Sequence, residues 1–146
     1  MVLEQGGSHA SQWEAIASIA VRARRRSVLY HRIPKLLAEL AMARGDGRYA
    51  RIMRTLNSVQ LLILDDWGLE ALDAGARRDF YEILEERYGR RSTILTSQIP
   101  VDKWHQVIGG PTYADAILDR IVHNAHRIDL TGDSLRRMRP RATSRD

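Results

Sequence analysis

Two adjacent carboxylates follow a run of aliphatic residues near the middle of the chain. The run occupies residues 61–64, and the acids are Asp65 and Asp66. Such a run is typical of a buried strand in a parallel sheet, and it delivers the acids to the carboxyl edge of that sheet. There one carboxylate can bind magnesium through water while the other orients the water that attacks a phosphate. The alternative is a strand-to-turn junction in which the aspartates only form the turn.

A second polar strand end follows at residues 96–98, Thr-Ser-Gln. Residues 92–97 are rich in β-branched side chains and predict a strand, and residues 73–88 have the apolar spacing of a helix. A strand, a helix and a strand in this order bring both strand ends to one edge of a parallel sheet. Ser97 and Gln98 can then contact a γ-phosphate or the water beside it. Ordinary hydrogen bonding within a loop is the alternative.

The glycine-rich loop that normally accompanies such an acidic strand does not occur in the sequence. No G-x-x-x-x-G-K-[ST] segment is found, and neither of the two lysines, Lys35 and Lys103, follows a glycine. The loop matters because its backbone amides and its lysine hold the β- and γ-phosphates. The sequence therefore predicts half of a nucleotide site.

Arginine supplies nearly all of the positive charge. Two of the 23 basic residues are lysine, which leaves 21 arginines, and the net charge is +5. Guanidinium groups pair with phosphates and stack on bases, so nucleic acid or nucleotide is the expected partner. A solvated arginine-rich surface is the alternative. The densest clusters lie at residues 22–26 and 136–145.

Single basic residues outside these clusters are further candidates. Arg120, in a predicted helix, can reach the phosphate of a neighbouring subunit or form a salt bridge on the helix surface. Arg136 is a similar candidate for phosphate sensing or DNA contact. His123 and His126 have a spacing that can serve a metal, but no third ligand accompanies them, so a metal site is not predicted there.

Predicted strands and helices alternate along the chain, which favours an α/β fold with a parallel sheet. Trp67 and Gly68 are expected to end the acidic strand, and Thr112 with Asp115 resembles a capping box that opens a helix. The predicted strands are residues 27–31, 60–65, 92–97 and 127–130, and the predicted helices are residues 11–26, 34–44, 48–56, 73–88 and 112–124.

The domain organisation is expected to be simple. We predict a flexible lead-in at residues 1–10, one incomplete domain at residues 11–138 and a basic tail at residues 139–146. The sequence contains no cysteine, no signal peptide and no apolar run near 20 residues in length. These features predict a cytoplasmic protein.

The ordered series of motifs resembles the IstB family, the ATP-binding helper proteins of bacterial insertion-sequence transposition, which are related to the DnaC helicase loader. The resemblance covers residues 27–138. It rests on Leu-Leu-Ile-Leu-Asp-Asp-Trp-Gly at 61–68, Glu-Glu-Arg-Tyr-Gly at 85–89, Thr-Ser-Gln-Ile-Pro at 96–100, Trp-His at 104–105, Ala-Asp-Ala-Ile-Leu-Asp-Arg at 114–120 and Asn-Ala-His-Arg-Ile at 124–128.

This resemblance implies a three-layer αβα AAA+ (P-loop NTPase-like) fold with ATP and Mg²⁺ as cofactors. Family members assemble on DNA as ATP-dependent homo-oligomers, with little reading of base sequence, and stimulate a partner transposase. The implied roles are Walker B for Asp65 (toward magnesium) and Asp66 (toward water), sensor 1 for Gln98 with Ser97, the arginine finger for Arg120 and sensor 2 for Arg136.

The sequence departs from the family at its beginning. Counting back from Ser27, the phosphate loop falls at residues 9–11, where Ser11 matches the family's hydroxyl residue and Ala10 replaces the lysine. Because the only apolar sequence upstream is Val-Leu at residues 2–3, we expect the first strand and the phosphate loop to be largely missing. The chain would then be a truncated or degenerate member with impaired ATP binding.

Two other functions are open. A non-enzymatic remnant that binds DNA or a partner protein would use the arginine clusters. A metal nuclease built on Asp65, Asp66 and His123 would need further ligands that the sequence does not offer.

Overall fold

The computed structural model describes residues 2–5 and 27–130. Five strands within these ranges form a single sheet in the order β2-β3-β4-β1-β5, and every neighbouring pair runs parallel. The strands are β1 (Val2–Gln5), β2 (Val28–Arg32), β3 (Leu61–Trp67), β4 (Ser92–Ser97) and β5 (Arg127–Leu130). The helices are α1 (Ile33–Asp46), α2 (Tyr49–Ser58), α3 (Ala74–Arg87), α4 (Trp104–Ile108) and α5 (Pro111–Leu118), with a 3₁₀ turn at Val101–Lys103 and a π-helical turn at Asp119–His123.

The aliphatic strand β3 is buried on both faces, as its sequence predicts for a parallel sheet. Leu62 and Leu64 point into one hydrophobic core that is shared with all five helices. Ile63, which alternates with them, is equally buried but lies outside that core, on the opposite face of the sheet. The described helices therefore form one layer against one face. The predicted helix at residues 11–26 lies outside the described residues.

The first strand is present, which corrects the expectation that it is largely missing. Residues Val2–Gln5 pair with β4 on one side and with β5 on the other. The expectation relied on the small number of apolar residues before the loop. Pairing in a sheet uses backbone N–H and C=O groups, which any residue except proline supplies, so four residues suffice to join β4 to β5. The phosphate-loop region, residues 6–11, lies outside the described residues.

The end of β3 also differs from the prediction, because the strand continues through Trp67 instead of ending before it. The pairing of β3 with β4 shifts register between Leu64 and Trp67. The Trp67 side chain is fully buried, stacked on Phe80 at 4.6 Å between ring centroids and in edge contact with Trp104 at 5.9 Å. Burial of this large apolar group favours folding. Because the buried position of Trp67 lies in line with β3, the strand extends to this residue before the loop begins.

Predictions for the helices are mostly confirmed, with two differences. Helix α4 was not predicted, because its five residues are too few for a periodic pattern; Trp104 anchors it in the core and donates its indole N–H to the carbonyl of Ile99 (3.1 Å). The capping box at Thr112 does not form, because α5 already begins at Pro111 and has no side-chain cap. Within the described residues, no helix is long and apolar enough to cross a membrane.

A buried carboxylate joins three helices on the side of the molecule next to β2. Asp79 in α3 accepts hydrogen bonds from Arg44 in α1 and from the hydroxyl of Tyr49 in α2 (2.8 Å). The same hydroxyl lies 2.9 Å from Glu82, and burial raises the pKa of Tyr49. The Arg44 guanidinium stacks over the Tyr49 ring at 4.1 Å. Because the carboxylate is buried and paired, removal of either partner would leave a costly charge in the core.

A buried arginine connects α2 to β4. Arg87, at the end of α3, is 1% exposed. Its guanidinium donates to the carbonyls of Leu56 (2.6 Å), Val59 (2.9 Å) and Ser92 (2.5 Å), and to the hydroxyl of Thr93 (2.9 Å). Burial lowers the pKa of Arg87 to about 10, which still leaves it charged at neutral pH. The cation thus satisfies carbonyls at the end of α2 that have no partner within the helix.

Substitution of Arg87 by methionine should destabilise the fold by about 3 kcal/mol, because it leaves several buried carbonyls without a donor. Urea unfolding followed by circular dichroism measures the change. Arg91→Met, at an exposed position of the following turn, is the matched control and should change stability by no more than about 0.5 kcal/mol. Equal stability of the two variants would show that the Arg87 contacts are not structural.

Candidate functional site

The Asp65 carboxylate is held on both of its oxygens by hydroxyl groups from the neighbouring strands. Tyr30 of β2 donates to Oδ2 at 2.7 Å, and Thr96 of β4 donates to Oδ1. Parallel pairing explains the contact, because Tyr30 lies opposite Ile63 and Leu64 lies opposite Leu95, so all three polar side chains emerge on one face. Asp65 is 8% exposed. A carboxylate oriented in this way could serve as an oxygen ligand for a cation at the sheet edge.

Asp66 is placed differently, by a strained backbone and an arginine. It is the one residue other than glycine in the described ranges with a left-handed backbone, at a φ of 62°. Aspartate tolerates this conformation better than most residues, and such strain is concentrated at functional sites. Arg32, at the end of β2, donates from Nε to Oδ2 of Asp66 at 2.5 Å, and this hydrogen bond raises the pKa of Arg32. The register shift in β3 therefore turns the second acid toward β2.

Ser97 and Gln98 lie at the same edge, but only Gln98 is exposed. The Ser97 hydroxyl is buried, donates to the carbonyl of Trp67 (2.8 Å) and accepts from the backbone N–H of Ile99 (3.2 Å). It therefore joins the ends of β3 and β4. Gly68 permits this close approach, since it has a φ of 87° and an added Cβ would lie 2.3 Å from the Ile99 side chain.

Arg120 lies far from these acids, in the π-helical turn. Its Nε donates to Glu85 at 2.9 Å and its Nη1 donates to Asp119 at 2.7 Å, and the hydrogen bond with Glu85 raises the pKa of Arg120. Together with Ser92 and Thr93 it lines a cavity of about 460 Å³ at the amino-terminal end of β4. Because the acids lie beside the carboxyl end of that strand, roughly 15 Å separates the two positions along the strand direction.

The structure thus brings four of the seven candidate residues together at the carboxyl edge of the sheet and places a fifth elsewhere. Ser11 and Arg136 lie outside the described residues. Sequence reasoning missed three contacts to the acids, although it had placed Thr96 at this strand end. The missed contacts are those of Tyr30, Arg32 and Thr96. One signal was available: Tyr30 and Arg32 are two residues apart on one strand, so their side chains share a face. Which residues they contact depends on the register of the strands, which the sequence does not show.

A largely apolar cavity of about 580 Å³ opens beside the edge, between α1 and the loop from β3 to α3. Leu37, Ala38 and Ala41 line one wall, and Leu69 and Leu72 line the other. The cavity lies on the helical face of the sheet, whereas the Asp65 side chain emerges on the opposite face. Asp66 lines this cavity too, but the one basic residue among the described residues of the lining, Arg44, is paired with Asp79, so the cavity offers no free cation for a phosphate.

The acids at the carboxyl edge of the sheet suit the magnesium ion of a magnesium nucleotide, but they do not suit its phosphates. The oriented Asp65 carboxylate suits Mg²⁺ bound through water. In the described ranges there is no group of three or more histidine, aspartate or glutamate side chains that could hold a metal ion. The sequence from residue 6 to residue 26, which connects β1 to β2, has no lysine for the phosphates. The described edge therefore supplies acids that suit a magnesium ion, and the sequence between β1 and β2 supplies no lysine for the phosphates.

The chain matches a family model described as "IstB-like ATP binding protein" over residues 5–143. The chain belongs to this family. A similar relative, a putative insertion sequence ATP-binding protein of Sinorhizobium fredii, is 75% identical over 112 residues, which are 77% of this chain and 46% of that protein. The IstB-like chain thus spans about half the length of that curated relative.

Solved structures support the fold at low sequence identity. A DnaI crystal structure has a TM-score of 0.79 and 24% identity, covering 90% of this chain and 72% of that one. A DnaC helicase loader gives a TM-score of 0.68 at 18% identity, with 89% and 76% covered. The replication initiator DnaA bound to AMPPCP and single-stranded DNA gives 0.72 at 16%, with 91% and 40% covered. The expected AAA+ fold is confirmed.

Thr96→Val should destabilise the protein by about 1–3 kcal/mol, because it removes a hydroxyl donor from a nearly buried carboxylate. Thr96→Ser, which keeps the hydroxyl, is the matched control and should lose less. In an Asp65→Ala background the cost of Thr96→Val should shrink, since the two residues are in contact. Chemical unfolding of the natural chain, Thr96→Val, Asp65→Ala and the double variant measures the coupling free energy. Strictly additive free energies would contradict the proposed contact.

Proposed function

We propose that this chain is an IstB-like helper of DNA transposition in which ATP binding is impaired. The observation that carries the proposal is the pair of acids at the carboxyl edge of an AAA+ sheet, with Asp65 clamped by Tyr30 and Thr96. Such a clamp is unnecessary for an aspartate that only forms a turn. It is what a preorganised ligand for a cation beside a phosphate requires.

The roles within the site follow from the placement of each residue. Asp65 is the magnesium ligand and Asp66 is the acid that orients water once Arg32 releases it. Gln98 is exposed beside them and serves as the polar sensor, whereas Ser97 acts by positioning the strand ends. The remaining candidates contact phosphates: Ser11 as the loop hydroxyl, Arg136 as sensor 2 and Arg120 on a neighbouring molecule.

Impaired ATP binding follows from the sequence between β1 and β2. Triphosphates are normally held by backbone amides and a lysine at the loop after β1, and Ala10 stands where that lysine is expected. An acid that orients a metal cannot replace this contact, because the phosphates carry most of the ligand's charge. The chain therefore keeps the residues proposed for hydrolysis but lacks the contacts that would bind ATP beside them.

DNA is the partner that the surface of α2 favours. Met53 and Leu56 of this helix are buried, whereas Arg51 and Arg54 are exposed and form no ion pair with another described residue. Arginines on a helix surface suit a phosphate backbone and carry no base specificity. The structural neighbour DnaA, solved with single-stranded DNA, supports this assignment by its fold. Further partners of this chain would be the transposase of the same element and other copies of the chain.

A second function, a non-enzymatic remnant that binds DNA or a partner protein, is favoured by one observation. The segment from residue 6 to residue 26 contains no lysine but four arginines at its end. A chain of this kind would bind DNA equally well with and without nucleotide. Both candidate functions share the arginine surface, and they differ in whether the acidic edge responds to ATP.

Magnesium ATP at a few millimolar should leave the melting temperature unchanged. A ligand at about 100 times its Kd would add about 2.7 kcal/mol of stability, so even moderate binding would be visible. Differential scanning fluorimetry with ATP, ADP and no nucleotide measures this. The matched comparison is His9→Gly combined with Ala10→Lys, which restores the Gly-Lys-Ser end of the loop and should gain a shift. A clear shift in the natural chain that is lost in Asp65→Ala would refute impaired binding.

DNA binding should be independent of sequence and sensitive to salt. Arg51→Gln and Arg54→Gln each remove one phosphate contact. Each substitution should therefore reduce the magnitude of the slope of log affinity against log salt concentration by about one. Fluorescence anisotropy with two unrelated oligonucleotides provides the measurement. Arg90→Gln, which makes the same change of charge at a residue paired with Glu86, is the control. Absence of binding at low salt would count against both functions.

A further inference from the structure

Small side chains line both walls of the cavity between α1 and the loop from β3 to α3. Ala38 and Ala41 are exposed on α1, and Ala71 and Ala74 are exposed on the opposite wall. Because an alanine side chain ends at Cβ, the backbone of another molecule can approach both walls closely. The volume of about 580 Å³ is in the range of sites that bury a ligand or the anchoring side chains of a peptide. The cavity thus has room for bulky apolar groups that no described residue supplies.

A buried donor beside the cavity has no acceptor among the described residues. Trp67 lines the cavity and its side chain is fully buried, yet its indole Nε1 makes no hydrogen bond to any of them. The N–H of a buried tryptophan usually has a partner, so the unpaired group favours a ligand that brings an acceptor. The nitrogen is closed to solvent, so the acceptor reaches it only when side chains of the lining shift. Leu69, which is 48% exposed in this lining, gives up little buried area in such a shift.

The mouth of the cavity is acidic, although the chain as a whole has a net charge of +5. Its lining includes one guanidinium and four carboxylates, those of Arg44, Asp66, Glu70, Asp73 and Asp79. Asp66 is paired with Arg32, and Asp79 is paired with Arg44. Glu70 and Asp73 are exposed and form no ion pair with a described residue. These two acids attract a cationic group and repel a phosphate, which decides the charge of the occupant.

We propose that this cavity is the docking site for a basic amphipathic segment of another protein. The segment inserts bulky apolar side chains between the alanines and pairs lysine or arginine with Glu70 and Asp73. Its backbone carries carbonyl groups, one of which accepts from the indole N–H of Trp67. DNA is repelled from this mouth, so the segment does not compete for the arginines of α2. Docking needs neither nucleotide nor DNA, and it is therefore separate from the proposed binding of both.

Selection from a phage-displayed library of random peptides tests this docking site. The natural chain is the target, and Ala41→Phe, which fills the cavity from an exposed position and should not lower the melting temperature, is the counter-selection. Selected peptides should combine bulky apolar residues with an excess of lysine and arginine. Synthetic copies should bind Ala41→Phe at least about tenfold more weakly than the natural chain, as expected when an apolar side chain can no longer insert. Met42→Phe, the next position on α1 but outside the lining, is the matched control and should bind as the natural chain does.

Two further measurements separate the contacts of the peptide. Glu70→Lys should weaken binding several-fold and make it less sensitive to salt, because it removes an attraction between opposite charges. Heteronuclear NMR of the indole N–H groups should show a downfield shift for Trp67 as it gains an acceptor, and a smaller change for Trp104, whose N–H already donates to Ile99. An unmoved Trp67 signal would contradict the predicted hydrogen bond.

Selection of acidic peptides, no enrichment relative to Ala41→Phe, or equal affinity for the natural chain and Ala41→Phe would each overturn the inference. Displacement of the peptide by an oligonucleotide would assign the mouth to DNA instead. Equal or tighter binding by a synthetic peptide of residues 131–146 would identify the chain's own segment as the occupant, and a dimer that Ala41→Phe dissociates would identify a second copy. Either result would refute docking of another protein.

Discussion

Parallel pairing of β3 with β2 and β4 is the constraint on which the candidate site depends. It sets the carboxyl ends of the strands on one edge and brings Tyr30, Asp65 and Thr96 onto one face in a row. The row forms through backbone register alone, with no contribution from a bound ligand. Because β1 joins β4 to β5, the same edge continues across the whole sheet. A displacement of β3 by one residue against β2 and β4 would turn Asp65 into the helical core.

The two neighbouring acids receive different partners, and the difference has a physical cause. Asp65 follows the regular alternation of β3 and meets neutral hydroxyl groups, which orient a carboxylate without neutralising it. Asp66 follows the register shift, adopts a left-handed backbone and meets the cation of Arg32. One acid therefore accepts only from neutral hydroxyl groups, whereas the other is paired with a guanidinium. The backbone thus gives the two adjacent carboxylates different surroundings, as the separate roles proposed for them require.

Local patterns allowed much of the fold to be predicted. The aliphatic run at β3 and the periodic helix α3 were found because each depends on its own residues. The strand β1, by contrast, exists through pairing with β4 and β5, which lie about 90 and about 125 residues later in the chain, and apolar content did not reveal it. Helix α4 is held by one buried tryptophan instead of a repeating pattern.

The candidate site was predictable to a similar extent. The acids and the polar end of β4 were placed at one edge correctly, because strand order alone determines this. The partners of the acids were not foreseen, since hydrogen bonds across strands require the register. Ser97 shows the same limit: residue type suggested a ligand contact, whereas burial directs its hydroxyl to the backbone of the adjoining strand end.

The buried guanidinium of Arg87 has a mechanical consequence. It fastens the last turn of α2 to the first residues of β4, so the helix that carries Arg51 and Arg54 cannot tilt without pulling on that strand. The far end of the same strand carries Thr96 and Gln98. A force applied at the outer surface of α2 would therefore be transmitted along β4. It would change the position of Thr96 and with it the hydrogen bond from Thr96 to Asp65.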